Sequence, residues 1–434
     1  MIIKETDIED YLIDASNLPG GNAEKVYLPE TKEEIADILR EANEKCIRVT
    51  ISGARTGTVG GAIPFGGIVI SLEKFKRLEI SQNENGGTAI VGAGVPLIDL
   101  QKAVDSEGLF YPPDPTEWSC QVGGTIATNA SGARSFKYGS TRNFVLRLRI
   151  VLPDGDFLDI KRGEVFSENG FFELTTASGK KLNAKLPTYS PPDVRKNTSG
   201  YFSGKKIDAI DIFIGSEGTL GIVTEAELKL LPKPKGFLSG IVFFEHEKDL
   251  LDLVKEVRSR SFETRSGSLS EADQNGSIDA VVLEYFDRRS LEFIGEHFPE
   301  TPKNMAGAIF FEQETSETNE DELFERWNDL LENNNADVER SWFAVNQQDL
   351  EKMREFRHAL PVAVNERIVK NKQRKVGTDM ALPDDKFESF LDFYQTKLSE
   401  SGLEYVIFGH IGDNHLHANM IPKNEEEMSK ARHL

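Results

Sequence analysis

Three of the seven histidines fall within eight residues of one another, in "EYVIFGHIGDNHLHANMIP" over 404–422. The segment reads as strand, glycine turn, strand. Alternation along the second strand places His415, His417 and Asn419 on one face and Leu416, Ala418 and Met420 on the other. His410, across the turn, can meet the first of these faces. Neutral imidazoles on adjacent strands offer a site for Zn²⁺ or another borderline divalent cation, with the Asn419 oxygen as an auxiliary ligand or substrate contact. A satisfied surface pair of histidines is the other use of such residues, and the spacing leaves both open.

Upstream, "MREFRHALPVAVNER" sets Arg354 and Arg357 one helical turn apart, and Lys375 precedes "VGTDMALP". A guanidinium grips a carboxylate through two parallel N–H bonds, which is what an α-hydroxy acid would offer. An exposed basic helix face is equally compatible with the pattern.

A different chemistry is suggested by "GARTGTVGGAIPFGG" at 53–67, six glycines in fifteen residues. Without a Cβ, successive N–H groups can converge on an anion, so the density points to a phosphate cradle, with a plain surface loop as the alternative. Two further blocks follow. "YPPDPTEWSCQVGGTIATNASGARSFKYG" carries Gly123, Gly124, Asn129 and Gly132 and leads to a hairpin turning at Asp154-Gly155, and "DIFIGSEGTLGIVTEAELKLL" spaces Gly215, Gly218 and Gly221 by three between what read as two strands. A Rossmann fingerprint or P-loop requires strand, glycine turn, then helix. Here "GGIVISL", a strand, follows the first block, and the Walker Lys-Ser/Thr is absent. Three such blocks among short strands and helices suggest an extended ligand gripped along its length by backbone.

The elements that would position these groups are legible in outline. "TKEEIADILREANEKC" shows a Thr31/Glu34 capping box followed by Ile35, Ile38, Leu39 and Ala42 at helical spacing, and "IRVTIS" reads as the next strand. From "PKPKGFLSGIVFF" onward, strand-like runs alternate with acidic amphipathic helices such as "TNEDELFERWNDLLENN", which fits a second α+β domain beginning near residue 235. At 434 residues the chain can bury more than one core. A formal charge of −21 argues against nucleic acid or an anionic membrane surface as a partner. Cys46 and Cys120 are the only cysteines, so no iron–sulfur ligand set or disulfide framework exists, and a reducing cytoplasm fits. No basic-then-apolar leader and no stretch of membrane-span length is present.

The blocks "SGARTGTVGGAIPFGGIVISLEKF", "VGAG", "YPPDPTEWSCQVGGTIATNASGARSFKYG" and "IGSEGTLGIVTEAELKLLPKP", in this order and over nearly the whole chain, resemble the PCMH-type FAD-binding domain of the vanillyl-alcohol oxidase superfamily. Within it they look most like the FAD-linked D-lactate dehydrogenase, glycolate oxidase and D-2-hydroxyglutarate dehydrogenase branch. The resemblance implies a FAD domain of two α+β subdomains over 1–234 and an α+β cap with a ferredoxin-like sheet over 235–434. It would wrap the FAD pyrophosphate in Gly53, Ala54, Arg55, Thr56, Gly57, Gly60 and Gly61. Pro113, Asp114, Thr116, Gly123, Gly124, Asn129 and Gly132 would line the ribityl and ring region, and Glu217, Gly218, Gly221, Ile222 and Val223 would hold the adenosine side or ring edge. Residues 50–62 contain neither His nor Cys, so the FAD is expected to be non-covalent.

The same resemblance implies oxidation of a D-2-hydroxy acid such as D-lactate or glycolate, with hydride passing to flavin N5. Arg357 matches the substrate-carboxylate arginine and Lys375 matches more loosely. His410 and His417 match metal-ligand positions in a Gly-His-x-Gly-Asp-Gly-Asn-x-His pattern, with Asn419 following. Asn414 and His415 stand where that pattern has Gly-Asn, which leaves His415 as a candidate catalytic base. Electrons would leave to an external acceptor: an electron-transfer flavoprotein, a quinone or an iron–sulfur subunit. In the family a Glu-His-Gly motif follows the His-rich segment and completes the metal site. The sequence here stops at "IPKNEEEMSKARHL", so weak metal binding and slow turnover are expected unless His415 or a partner chain compensates. A catalytically weakened FAD-binding scaffold and a flavin-dependent synthase of the alkyl-dihydroxyacetone-phosphate type share the FAD domain and remain the alternatives.

Overall fold

A computed structural model describes residues 1–267, 276–316 and 318–434. The chain clusters into two compact units. The first comprises 1–132, 139–192 and 198–233; the second comprises 133–138, 193–197 and 234–434.

The first unit begins with a four-stranded sheet in which Lys25–Leu28, Ile68–Ser71 and Val49–Ser52 run parallel and Ile2–Lys4 pairs antiparallel at the edge. The helix Lys32–Glu44 covers it with the four residues anticipated from spacing, Ile35, Ile38, Leu39 and Ala42, all buried. Each fully buried Ile or Leu contributes about 1.5–3 kcal/mol, which outweighs the intrinsic propensity of so short a helix. Thr31 caps it by accepting from Glu34 N at 3.2 Å, while the Glu34 carboxylate reaches Glu30 N at 2.8 Å, one residue short of a true capping box. A second, antiparallel sheet has the path Leu78–Asn83, Gly86–Gly92, Ile222–Pro232, Val145–Val151 and Phe157–Lys161, and its last pair forms the hairpin turning at Asp154-Gly155. One expectation fails here. "DIFI", read as a strand before the third glycine block, is a single helical turn, Ile210–Phe213. Arg142 and Arg162 converge on the Asp211 carboxylate and on main-chain carbonyls at both ends of that turn, and this curls the chain against its β propensity.

The second unit is a seven-stranded antiparallel sheet. Its first four strands in chain order, Gly236–Phe244, Ala280–Asp287, Gly307–Thr315 and Asp337–Phe343, lie in the spatial order 4-1-3-2, the ferredoxin-like arrangement. Beyond Ala280–Asp287 the sheet continues with Tyr405–His410, His415–Met420 and Val376–Ala381. Both faces are covered, so successive residues enter opposite cores. Val242 and Phe244 join Leu250, Leu253 and Trp327 on one side, and Ile241 and Phe243 join Phe356 and Leu360 on the other. Every residue of Ala280–Asp287 is buried, a continuous run suited to a central strand.

Candidate functional site

In the second unit the strand register builds the site. His410 pairs with His415, Phe408 with His417, and Asp379 with His417, while Phe286 opposite Phe408 brings Glu284 level with His410. Residues directly opposite share a face. Four adjacent strands therefore present Glu284, His410, the pair His415 and His417, and Asp379 as one row. The turn between the histidine strands is the short 3-10 segment Ile411–Asp413 followed by Asn414 at φ 52°, a left-handed position that Asn tolerates nearly as Gly does. Gly409 has φ 133°, and a Cβ there would fall 2.8 Å from His417 Cδ2, so only glycine lets the two strands close at this point.

The three imidazoles can each turn one nitrogen to a common point, the three atoms lying within 4.8 Å of one another. Each also meets a carboxylate. His410 Nδ1 lies 2.6 Å from Glu284 Oε1, His417 Nδ1 lies 2.9 Å from Asp379 Oδ1, and His415 Nε2 hydrogen-bonds the same Asp379 oxygen. With the carboxylates ionised, the shared proton sits on the bonded nitrogen, which leaves His410 Nε2, His417 Nε2 and His415 Nδ1 as lone-pair atoms. His415 Nδ1 is buried with no hydrogen-bond partner. Imidazoles oriented by carboxylates in this way are the donor set a borderline divalent cation takes.

The electrostatics keep the row in that state. Burial lowers His410 to about 3, outweighing the pull of Glu284. His415 is also lowered, by burial first, against the hydrogen bond it donates to Asp379. Burial would raise Glu284, but the charges of His410 and Arg357 outweigh it and hold the carboxyl at about 2. Hydrogen bonds from His415 and His417 keep Asp379 far below the ordinary carboxylate range. Lys196, from the short segment 193–197, belongs to the same neighbourhood: burial brings its amine down to about 8, opposed by Asp413, Glu284 and Asp379.

Arg357 sits on the helix Gln347–Lys370, within the buried stripe of Met353, Phe356, Leu360 and Val364. Its Nη2 is 3.7 Å from Glu284 Oε1, and its Nε is buried without an acceptor. Pro361 lies one turn further on and has no N–H to donate to the Arg357 carbonyl. Arg354, one turn before, pairs with Glu312 at 3.3 Å. Lys375 is exposed immediately before Val376–Ala381, and Asn419 is buried on the histidine face opposite Gly377. The register thus assembles His410, His415 and His417 along Glu284 and Asp379, and the helix Gln347–Lys370 adds Arg357 beside Glu284. Glu284, Asp379 and Lys196 escape sequence reasoning. The one readable signal was an acid, Glu284, with apolar residues on both sides of it in "AVVLEYFD".

In the first unit the three glycine blocks meet. A Cβ added at Gly53 would lie 3.3 Å from Gln121 Oε1, and one at Gly61 3.5 Å from Glu217 Oε2. Gly215 N and Glu217 N donate to Ile126 and Ala127 carbonyls at 3.0 and 2.9 Å, and Asn129 Oδ1 accepts from Arg142 N at 3.0 Å. Gly132 permits a close approach, since any Cβ would overlap Asp114 O at 1.7 Å. Asp114 accepts from Trp118 Nε1 at 2.9 Å beside Pro113 and Thr116, and Arg55 donates to Gly53 O at 3.1 Å near Ala54 and Thr56. Gly57 and Gly124 face open space, Gln121 Oε1 is a buried acceptor without a donor, and a cavity of about 210 Å³ is lined by Ile51, Gly218, Gly221 and Ile222, next to Val223. A backbone cradle with an unanswered acceptor fits an extended, hydrogen-bonding cofactor.

Comparison with known proteins agrees. Residues 23–161 match the FAD binding domain family, and 257–434 match the C-terminal domain of FAD linked oxidases. D-lactate dehydrogenase from Anaerostipes hadrus is 30% identical over 96% of this chain and 78% of its own length. Glycolate oxidase subunit GlcD from Bacillus subtilis (strain 168) is 27% identical over 97% and 78%, and D-2-hydroxyglutarate dehydrogenase from Xanthomonas citri pv. viticola is 27% identical over 96% and 76%. Among solved structures, alkyldihydroxyacetonephosphate synthase superposes with TM-score 0.68 at 16% identity, covering 99% of this chain and 80% of that one, a likeness of fold alone. Among the described residues no helix is long and apolar enough to cross a membrane.

Proposed function

The chain belongs to the FAD-linked 2-hydroxy-acid dehydrogenases and oxidases of the vanillyl-alcohol oxidase superfamily, and from that membership we propose that it oxidises a small D-2-hydroxy acid to the 2-oxo acid and passes the electrons to an external acceptor. The observation that carries this reading is the row of Glu284, His410, His415, His417 and Asp379 with the buried Arg357 beside it. When bound, FAD would supply the hydride acceptor, and a divalent cation such as Zn²⁺, which His410 and His417 would hold, would supply a Lewis acid for the substrate hydroxyl.

The remaining work belongs to the chain. Arg357, with one buried N–H lacking an acceptor, binds the carboxylate and fixes the Cα–H direction. Glu284 holds His410 with its proton on Nδ1 and keeps the arginine charge from being buried alone. His415 accepts the hydroxyl proton at Nδ1, and Asp379 on Nε2 stabilises the imidazolium that forms. Lys375 adds a second cation near the substrate, Asn419 is an auxiliary oxygen at the cation, and the glycine blocks of the first unit hold FAD non-covalently. The acceptor is an electron-transfer flavoprotein, a quinone or an iron–sulfur partner. Anaerobic addition of D-lactate, glycolate or D-2-hydroxyglutarate to the purified flavoprotein should bleach the oxidised flavin band with at least one of them. No bleaching by any would overturn the assignment.

A further inference from the structure

A second constellation of charges lies elsewhere in the second unit. A cavity of about 500 Å³ has apolar walls of Leu251, Val254, Phe262 and Phe387 and carries two arginines, Arg195 and Arg258. Both cations are incompletely answered. Arg258 is 8% exposed and donates from Nη2 to Ile411 O at 2.6 Å, yet its Nε is buried without an acceptor. Arg195 pairs through Nη2 with Asp384 and lies 5.1 Å over the Phe262 ring, and its Nη1 is likewise buried without an acceptor.

The other charges around the cavity are occupied. Lys255 pairs with Glu388, and Asp385 with Lys386 at 2.9 Å. Among the described residues Asp384 is the carboxylate paired with both arginines, with Arg258 Nη1 at 3.5 Å, and it also accepts from Asn414 Nδ2. Burial first, and then the neighbouring Arg195 charge, bring Arg258 down to about 10, against the opposing pull of Asp384 and Asp413.

We infer that this cavity binds an organic carboxylate with an apolar body, its carboxylate held by Arg195 and Arg258 and its body against Leu251, Val254, Phe262 and Phe387. A volume of this size suits a small molecule, and guanidinium forks match a carboxylate. Leu and Phe walls favour an aliphatic chain over a bare inorganic anion. Arg258 donates to Ile411 O, and Asp384 holds Asn414, the residue that turns the chain into His415, so the arginine that grips the occupant is itself one hydrogen bond from the histidine hairpin.

Calorimetric titration of the FAD-loaded protein with hexanoate, acetate and inorganic phosphate tests this. Hexanoate should bind at least about tenfold more tightly than acetate, given the added methylenes, and phosphate should bind no better than acetate. Arg195→Gln should weaken hexanoate at least about tenfold, while Arg357→Gln should leave it unchanged. Arg195 lies on a partly exposed segment, and Phe262→Ala, at a surface wall, gives an independent second loss should the arginine variant fail to fold. Equal binding of all three anions, hexanoate affinity unchanged by Arg195→Gln or Phe262→Ala, or loss in Arg357→Gln instead would each overturn the assignment, the last placing the ligand at the proposed substrate arginine.

Discussion

Glu284 Oε1 and His410 Nδ1 lie 2.6 Å apart on neighbouring strands although 126 residues separate them in the chain. The same oxygen is 3.7 Å from Arg357 Nη2, so one buried carboxylate orients an imidazole and neutralises a guanidinium. Replacing it by the isosteric Glu284→Gln should reduce kcat/KM for the hydroxy acid by about 10–100-fold, the usual effect of losing a partner that orients a ligand, while FAD content stays at wild-type level. Unchanged kcat/KM would remove Glu284 from the site.

Arg357→Gln should act mainly on substrate binding. Loss of a charge-assisted hydrogen bond of about 1.5–3 kcal/mol corresponds to roughly 10–100-fold in kcat/KM. Flavin reduction at saturating substrate should change less than KM does. A fall in the saturating rate with KM constant would speak against a carboxylate anchor.

His410→Ala and His417→Ala should each lower bound divalent metal, read by elemental analysis, and abolish most hydroxy-acid turnover while FAD stays bound, because the glycine blocks lie in the other unit. His415→Asn separates two roles. If His415 takes the hydroxyl proton, metal content persists and the reduction rate falls. If it is a third ligand, metal content falls as well, and the base must be sought elsewhere.

FAD should be released by acid. The loop 50–62 offers no His or Cys for a covalent link. After trichloroacetic acid precipitation the yellow colour is expected in the supernatant, and colour in the pellet would contradict the non-covalent cradle.

Asp287 supplies a pH prediction for stability. Its Oδ1 accepts from Ser290 N, Ser290 Oγ and Ile407 N at 2.8, 2.5 and 3.2 Å, and burial raises the carboxyl from 3.8 to about 6. A raised folded value means that the stabilisation is present below about pH 4 and is lost as pH rises through 6. Asp287→Asn keeps the accepting oxygen without the charge. Relative to wild type it should therefore gain stability between pH 4 and pH 7, by about 3 kcal/mol at most. Parallel urea midpoints across that range would show that the group does not titrate as described.

The sequence exposes what is periodic and hides what depends on strand order. Alternation sufficed to put His415 and His417 on one face, and helical spacing sufficed for Ile35, Ile38, Leu39 and Ala42. Glu284 and Asp379 were not legible. They reach the histidines only because Ala280–Asp287 and Val376–Ala381 flank the histidine hairpin, and no local pattern encodes that adjacency. Lys196 is hidden for a related reason, since five residues of a stretch surrounded by the first unit cluster with the second. "DIFI" misleads because two arginines contacting a helical turn outweigh apolar β-formers.

Pro361 gives the helix Gln347–Lys370 a seam. With the bond from residue 361 to the Arg357 carbonyl missing, cooperative fraying need not cross the whole length. Amide deuterium uptake should therefore report two segments with separate opening energies, one ending near Arg357 and one running on to Lys370. Arg357, the proposed carboxylate anchor, would stand at the junction, on a turn that can adjust without unwinding either neighbour.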